Sequence, residues 1–353
     1  MKALRFHGRG DLRLESVAEP AAPVASEVLT APLKCGICGT DLHEFLEGPL
    51  RVSTTPHPLT GASLPQILGH ELSAEVIEVG EQVEGLSPGD RVSVMPLISC
   101  GQCGPCRGGN PQHCALRAAV GLRHRWGGMS ELALVDASQL TKLPDDLSDE
   151  QGALIEPSAV ATAAVALARL RPGDPVLVTG AGPIGMLAAL AARRAGAGEV
   201  LISELGEGRA QLASRIGFDV VDPSKHDVEE LCRQRWEDGA AAAIECSGSE
   251  SALRTALEAI RPSGRVVQAG LLQKPVELDV SRLVLRGASL IGSVGFPFDC
   301  WPSLIEQVRS GELPAERIVT STVPLHAAIE DGFRVLADGD GAQVKIIIDI
   351  RGS

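Results

Sequence analysis

The chain has 353 residues, of which 44% are hydrophobic and 22% charged, a composition that suits a globular protein long enough for two domains. Its net charge of −13 and its lack of tyrosine exclude the basic, aromatic surface that nucleic-acid binding requires. The N-terminus lacks a signal-peptide core and no apolar run reaches about 18 residues, so we expect a cytoplasmic protein with no membrane contact and nine reduced cysteines.

The first part of the chain, up to about residue 155, is predicted to be β-rich. Short apolar stretches at 27–32, 73–79 and 91–96 are separated by turn signals such as Ser87-Pro88-Gly89-Asp90. Sheets with this spacing usually form barrels or sandwiches.

Four cysteines in this part follow the spacing C-x2-C-x2-C-x7-C: Cys100, Cys103, Cys106 and Cys114. Four thiolates on a loop rich in glycine and proline can surround one Zn²⁺ at about 2.3 Å, and such a closed site is structural. The alternatives are an iron–sulfur centre, although its bacterial run would end C-x3-C-P, two disulfides, or free thiols. The spacing predicts a structural zinc lobe at about 96–116.

From about Pro157 onward, short apolar strands alternate with helices rich in small residues. Strands are predicted at 176–179, 200–203, 241–245, 265–268 and 289–291, with one helix ending near 195 and another at 250–260. This alternation predicts a doubly wound parallel sheet and an α/β fold class. The last segment, 296–353, contains a predicted helix at 324–337 and a predicted strand at 343–350.

A glycine turn between the first of these strands and its helix predicts a dinucleotide site. It follows the pattern G-x-G-x-x-G, with Gly180, Gly182, Pro183, Ile184 and Gly185 as the binding residues. The helix N-terminus attracts the pyrophosphate, and Glu204 at the end of the second strand accepts hydrogen bonds from the ribose hydroxyls of NAD. Arg209 is close enough to offset part of that negative charge. The alternative is a structural glycine turn beside a solvated glutamate.

Three further groups supply the sulfur, nitrogen and oxygen donors of a zinc site with one open position. They are the stretch 34–43 with two cysteines, the stretch Gly69-His70-Glu71, and Glu156 in Ile155-Glu156-Pro157. By spacing alone each signal is weak, because a single buried cysteine or histidine is more often a core residue.

The stretch Gly36-Ile37-Cys38-Gly39-Thr40-Asp41-Leu42-His43, the Gly-His-Glu stretch, the four-cysteine lobe and the glycine turn occur in an order that resembles the zinc-dependent medium-chain dehydrogenases. The resemblance covers essentially the whole chain. It implies a GroES-like catalytic domain at 1–156, a Rossmann NAD-binding domain at 157–295 and a return to the catalytic domain at 296–353. It also implies NAD as cofactor and two zinc ions per chain.

The resemblance assigns roles to individual residues. Cys38, His70 and Glu156 hold the catalytic zinc, Glu71 enters or leaves the ligand shell, and Cys35 is a packing residue. Thr40 takes the hydroxyl proton of the alcohol and His43 passes it to solvent. A turn-stabilising hydroxyl and a surface histidine are the alternatives for these two residues.

The resemblance further implies a secondary alcohol or ketone as substrate. The stretches 43–49 and 57–61 are most similar to the branch that oxidises vicinal diols such as 2,3-butanediol to acetoin. Threonine, polyols and bulkier secondary alcohols are the alternative substrates, and an NAD-binding protein without activity is the alternative class. The sequence of the segment 118–126, with Arg123-His124-Arg125, differs from the pattern of that branch. The segment is either a changed wall of the substrate pocket or a solvated loop. A homo-oligomer, dimer or tetramer, is expected by analogy.

Overall fold

The computed structural model describes residues 1–339 and 341–352. Up to residue 154 its elements are, in chain order, β1 (Lys2–Gly8), β2 (Asp11–Ser16), β3 (Glu27–Gly36), α1 (Gly39–Glu47), β4 (Gln66–Ile67), β5 (Glu71–Val79), β6 (Arg91–Val94), β7 (Leu97–Ile98), α2 (Gly104–Arg107), β8 (Ala118–Ala119), β9 (Ala133–Asp136), β10 (Leu140–Lys142) and α3 (Asp149–Ala153). Within the described ranges, no helix has the length and apolarity needed to cross a membrane.

The second part of the chain alternates helices and strands. Its elements are α4 (Ile155–Ala168), β11 (Val176–Thr179), α5 (Pro183–Arg194), β12 (Val200–Ser203), α6 (Glu207–Ile216), β13 (Asp219–Val221), α7 (Val228–Trp236), β14 (Ala240–Glu245), α8 (Glu250–Ala259), β15 (Ile260–Gln268), α9 (Val280–Arg286), β16 (Ser289–Gly292), α10 (Trp301–Arg309), β17 (Val319–Pro324), α11 (Val335–Asp338) and β18 (Lys345–Asp349).

The β-rich part contains a mixed sheet in the order β10-β6-β5-β3-β18-β17, with β9 also pairing with β3. β3 and β5 run antiparallel, so that Gly36 lies opposite Glu71. β18 lies along the other edge of β3 and places Ile347 opposite Gly36. The end of β3, the start of β5 and the C-terminal strand therefore meet at one point of the sheet, over a core that includes Leu68, Leu72 and Ile346.

The second sheet has the order β13-β12-β11-β14-β15-β16 and all of its neighbouring strands are parallel. The predicted α/β class with a doubly wound sheet is confirmed. β12 and β13 extend the sheet on one side of β11, and the chain then crosses to β14 on the other side. The carboxyl ends of β11 and β14 therefore border the switch point, where such sheets bind ligands. Apolar residues of α4 and α5 cover this sheet, among them Ala161, Met186 and Leu187.

The prediction of one continuous helix at 324–337 is wrong in detail. The segment is a 3₁₀ turn, Leu325–Ala327, then a π-helical stretch, Ala328–Arg334, and then α11. Gly332 lies within the π-helical stretch, where an added Cβ would collide with the side chain of Ile37. Close packing against the residue before Cys38 overrides the regular helix that the sequence favours.

Candidate active site and metal centres

The first metal cluster forms where β3, α1 and β5 meet. Cys38 directly precedes α1, while His70 and Glu71 lie at the start of β5. The thiol sulfur of Cys38, a ring nitrogen of His70 and a carboxylate oxygen of Glu71 all lie within 4.8 Å of one another. The pairing of Gly36 with Glu71 brings them together, because Cys38 follows two residues after Gly36.

Asp41 orients His70, a role that the sequence analysis missed. Its Oδ1 lies 3.4 Å from Nδ1 of His70, and neither atom has another polar partner within the described part of the chain. Its Oδ2 accepts a hydrogen bond from the backbone N–H of Cys38 at 3.1 Å. A carboxylate on one ring nitrogen leaves Nε2 for a metal, which is the usual arrangement around zinc-bound histidines.

Lys345 is the second residue that sequence reasoning missed. Its Nζ lies 2.5 Å from Oε2 of Glu71 and donates to the carbonyl of Ile37 at 3.0 Å, and both charged side chains are only 1% exposed. One signal could have revealed it: Lys345 is the only charge in the apolar run Val344–Ile348. A lysine in such a run needs a buried acidic partner.

Glu156 lies in the first turn of α4 and is buried beside the cluster, without being one of the three residues whose ligand atoms group together. Burial raises the pKa of Glu156 to about 7; the neighbouring His70 and Lys345 lower it, and Glu71 raises it. The charges that act on Glu156 are therefore those of the cluster. Three of the predicted ligands come together, and the fourth is in their immediate electrostatic environment.

The predicted proton relay lies on α1. Thr40 is half-buried near the start of the helix, and His43 is exposed at its surface. Exposure therefore increases from Thr40 to His43 along the helix. Their roles stay predictions.

The donor set fits zinc with an open position. Sulfur, imidazole and carboxylate donors are the catalytic zinc mixture, and Asp41 supplies the hydrogen-bonding partner that such a histidine requires. Asp41 Oδ1 and His70 Nδ1 are buried and have no other polar partner among the described residues. Their pairing is explained if Asp41 orients His70 as a metal ligand.

The second metal cluster is the four-cysteine lobe. The ligand atoms of Cys100, Cys103, Cys106 and Cys114 lie within 4.8 Å of one another. The sulfur–sulfur distances of 3.3 Å for Cys103–Cys106 and 3.5 Å for Cys114–Cys100 are too long for disulfides, and all four thiols are free. Backbone N–H groups of Gln102 and Cys103 lower the pKa of Cys100 to about 6, which favours a thiolate. This geometry fits a closed tetrahedral zinc site.

The glycine turn links β11 to α5 as predicted. Gly180 has φ +91°, and a Cβ on Gly185 would collide with the carbonyl of Gly180, so both positions require glycine. Pro183 and Ile184 open α5 after Gly182, whose φ of −71° and ψ of −178° are extended. The N-terminus of α5 therefore points free N–H groups towards the turn.

Glu204 directly follows β12, and Arg209 lies in the first part of α6. Glu204 accepts hydrogen bonds from the N–H of Ala181 at 2.6 Å and of Gly206 at 2.7 Å, so it also holds the glycine turn. The Nε of Arg209 is buried and has no hydrogen-bond partner within the described residues. A cavity of about 260 Å³ here is bordered by Gly180, Glu204 and several hydroxyl side chains. It has the place and polarity expected for the adenosine half of a dinucleotide.

Comparison with known proteins gives two family matches. Residues 25–145 match the alcohol dehydrogenase GroES-like domain, and residues 183–310 match the zinc-binding dehydrogenase family.

Individual relatives cover nearly the whole chain. The (R,R)-butanediol dehydrogenase of Bacillus subtilis (strain 168) is 39% identical over 352 residues, which is 99% of each chain. The crystal structure of 2R,3R-butanediol dehydrogenase from Bacillus subtilis superposes with a TM-score of 0.93 at 38% identity and covers 99% of both chains. The L-threonine 3-dehydrogenase of Idiomarina loihiensis is 33% identical over 350 residues, 98% of each chain.

Proposed function

The chain belongs to the zinc-binding alcohol dehydrogenase family, whose members transfer hydride between an alcohol and a nicotinamide cofactor, and from this premise we propose that its substrate is a vicinal diol of the 2,3-butanediol type, interconverted with acetoin. One observation carries the proposal: the Cys38, His70 and Glu71 cluster lies beside buried Glu156 in a chain that is 39% identical to a butanediol dehydrogenase over 99% of its length.

In the proposed mechanism, Cys38, His70 and Glu156 hold the catalytic zinc, and Glu71 is a ligand in reserve. Zinc bound there supplies Lewis acidity towards the substrate hydroxyl. Asp41 fixes the imidazole, and Lys345 neutralises the charge of Glu71 through the buried ion pair. Thr40 accepts the hydroxyl proton, and exposed His43 delivers it to solvent. A nicotinamide cofactor bound at the glycine turn would supply the hydride acceptor for the carbinol carbon.

The cofactor site is proposed to prefer NAD over NADP. Gly180, Gly182, Pro183, Ile184 and Gly185 bind the pyrophosphate, and Glu204 binds the ribose hydroxyls while repelling a 2′-phosphate. Unpaired Arg209 reduces that repulsion. We expect kcat/KM to be at least about tenfold higher with NAD⁺ than with NADP⁺, and Glu204→Gln to narrow the ratio. Equal kcat/KM for both cofactors in the wild type would contradict the preference.

The proposed domain boundaries are 1–156, 157–295 and 296–353. A cytoplasmic location is also part of the proposal, and nine free cysteines support it because disulfides are rare in that compartment. A homo-oligomer is proposed because α9, the helix that precedes the outer strand β16 in the chain, exposes Val280, Val284 and Leu285, and Leu285 is 86% exposed. An apolar strip next to an unpaired strand edge is a typical subunit interface.

The function is tested by metal analysis together with an NAD⁺-reduction screen. The substrates are the stereoisomers of 2,3-butanediol, a polyol such as sorbitol, L-threonine and a bulky secondary alcohol. We expect about two zinc ions per chain and the highest kcat/KM for one butanediol isomer. A higher kcat/KM for threonine would assign the chain to the second candidate, which the 33% identity to a threonine dehydrogenase supports less strongly.

A further inference from the structure

A cavity of about 460 Å³ lies at the edge of the second sheet opposite the glycine turn. Two of its lining residues show this position: Asp174 precedes β11 by two residues, and Ala241 is the second residue of β14. Because β11 and β14 are parallel, the cavity borders the amino ends of both strands, whereas the glycine turn follows the carboxyl end of β11. The cavity is therefore separate from the dinucleotide site.

Arginines dominate the lining of this cavity, which is called the arginine pocket below. Its charged side chains are Arg169, Arg171, Asp174, Arg261 and Arg265. Asp174 pairs with Arg261 at 2.8 Å, and the other three arginines have no ion pair within the described part of the chain. The pocket thus carries three uncompensated positive charges in a protein whose net charge is −13.

The negative charges around the pocket do not reach these three arginines. Oδ1 of Asp174 accepts a hydrogen bond from the guanidinium of Arg261 at 2.8 Å, and Oδ2 accepts one from the backbone N–H of Arg171 at 2.8 Å. Both oxygens of the carboxylate are therefore occupied. The C-terminus of α4, which ends at Ala168, adds a partial charge of only about −0.5.

A bulge in β15 holds two of the arginines at the pocket. Four residues of β15, 261–264, oppose the single residue Ala241 of β14, because the strand register shifts there. Within the bulge, Ser263 has φ +61°, a left-handed conformation that is costly for a residue other than glycine. Arg261 begins the bulge, Arg265 directly follows it, and both are half-buried. The bulge therefore fixes the positions from which these two arginines line the cavity.

The other two arginines come from the segment that joins α4 to β11. Arg169 caps the C-terminus of α4 with φ +51°. Arg171 begins a turn that is closed by the N–H of Asp174, which donates to the carbonyl of Arg171 at 3.0 Å. Both arginine side chains are exposed, so a ligand can reach the pocket from solvent. Water screens the charge of the half-buried Arg265 less than that of the exposed pair.

We propose that the arginine pocket is a binding site for a small polyphosphate, an anion with at least two linked phosphate groups. Guanidinium groups donate paired hydrogen bonds to phosphate oxygens. The volume of about 460 Å³ lies in the range of small-molecule sites, about 300–1,000 Å³, so more than one phosphate group fits. Three uncompensated charges match a di- or triphosphate better than a single monovalent anion. The inference goes beyond the proposed dehydrogenase function and does not depend on it.

Isothermal titration calorimetry of the zinc-loaded protein tests the site, with saturating NADH present to fill the dinucleotide site. The probes are tripolyphosphate, ATP and inorganic phosphate. Tripolyphosphate and ATP distinguish a free polyphosphate from the phosphate chain of a nucleotide, and inorganic phosphate measures the binding of a single phosphate group.

The variants remove one positive charge at a time. They are Arg265→Gln at a half-buried side chain and Arg171→Gln at an exposed one, with Arg265→Lys retaining the charge. Arg171→Gln keeps the test valid if Arg265→Gln does not fold. Arg215→Gln is the matched control, because Arg215 lies on α6, is exposed and does not line the pocket.

We expect tripolyphosphate to bind at about one site per chain with a Kd below about 1 mM, and inorganic phosphate to bind at least about tenfold more weakly. Arg265→Gln should raise the Kd for tripolyphosphate about tenfold, and Arg171→Gln about threefold, because water screens the exposed side chain. Arg265→Lys should recover part of the loss, and Arg215→Gln should leave the Kd unchanged.

Tripolyphosphate binding that persists unchanged in both glutamine variants would place the anion elsewhere, at a zinc ion or at the glycine turn, and would overturn the proposal. Absence of binding to the wild type would overturn it as well. ATP that binds at least as tightly as tripolyphosphate, with the same dependence on Arg265, would assign the site to nucleotide phosphates. Weaker ATP binding would assign it to a free polyphosphate.

Discussion

At the scale of single residues, the side chains that hold the ligands in place are as informative as the ligands. Asp41 bridges His70 and the N–H of Cys38, and Lys345 bridges Glu71 and the carbonyl of Ile37. Each connects two parts of the cluster that belong to different elements. Such connections keep a metal site in one geometry before the metal arrives.

The Lys345–Glu71 pair is expected to stabilise the protein even without zinc. Lys345→Met leaves a buried carboxylate without a counter-charge, which should lower the free energy of unfolding of the metal-free protein by about 3 kcal/mol. Urea denaturation measures this loss, and Lys345→Arg should recover most of it. Lys142→Met is the control: Lys142, 58% exposed, pairs with Asp90, and its loss should cost less than about 1 kcal/mol. Equal losses for Lys142→Met and Lys345→Met would contradict the importance of the buried pair.

Thr40→Val tests the proton relay. The substitution keeps the shape of the side chain and removes the hydroxyl, so kcat should fall about a hundredfold if the hydroxyl transfers the proton. NAD binding, measured by fluorescence titration, should change little, because Thr40 lies on α1 and the glycine turn lies in the other sheet. Thr40→Ser, which retains the hydroxyl, is the control. Unchanged turnover in Thr40→Val would remove Thr40 from the relay.

At the scale of elements, two segments without regular secondary structure position the active site. Between its first and last cysteines, the lobe contains the short helix α2 and a 3₁₀ turn, Pro111–His113, so its shape depends on the four thiols. The π-helical stretch Ala328–Arg334 packs Gly332 against Ile37, directly before Cys38. A zinc ion held by the four thiols would stabilise the lobe in place of a hydrophobic core, whereas close packing of Gly332 stabilises the segment before Cys38.

Cys103→Ser is expected to damage the lobe before the chemical step. Loss of one thiolate should reduce the zinc content from about two to about one per chain and lower Tm, while kcat per folded active site changes little. Elemental analysis and thermal unfolding provide the measurements. Cys232→Ser, at a buried cysteine outside both metal clusters, should leave the zinc content unchanged. Normal metal content and Tm in Cys103→Ser would refute a structural zinc site.

At the scale of the whole molecule, the C-terminal strands join the sheet of the first part of the chain. β18 pairs with β3 and β17, so the C-terminal residues complete the sheet that carries Cys38 and Glu71. The other sheet ends at β16, whose outer edge has no partner strand among the described residues, and α9, just before β16 in the chain, exposes apolar side chains. The proposed homo-oligomer therefore rests on the exposed apolar side chains of α9.

Leu285→Lys tests that association. A charge in the middle of the apolar strip should shift the oligomer to a smaller species, because an unpaired charge buried in an interface is costly. Analytical ultracentrifugation at several protein concentrations measures the shift. Val24→Lys, at an apolar side chain that is 60% exposed in the other part of the chain, is the control and should leave the mass unchanged. A wild-type protein that sediments as a monomer would refute the oligomer itself.

The sequence by itself determined the features that depend on neighbouring residues. The glycine turn, the cysteine spacing and the strands at 176–179 and 200–203 have the positions predicted, because turn geometry, ligand reach and apolar runs are local properties. The α/β class followed from the alternation of these local elements.

Only the tertiary structure decided which distant residues meet. Lys345 and Glu71 are 274 residues apart, and strand pairing through β3 brings them together. The π-helical stretch likewise depends on the packing of Gly332 against Ile37, two residues that the sequence does not link. The sequence can indicate that a charge lies in a buried strand, but its partner is set by long-range strand pairing, whose register no short sequence pattern encodes.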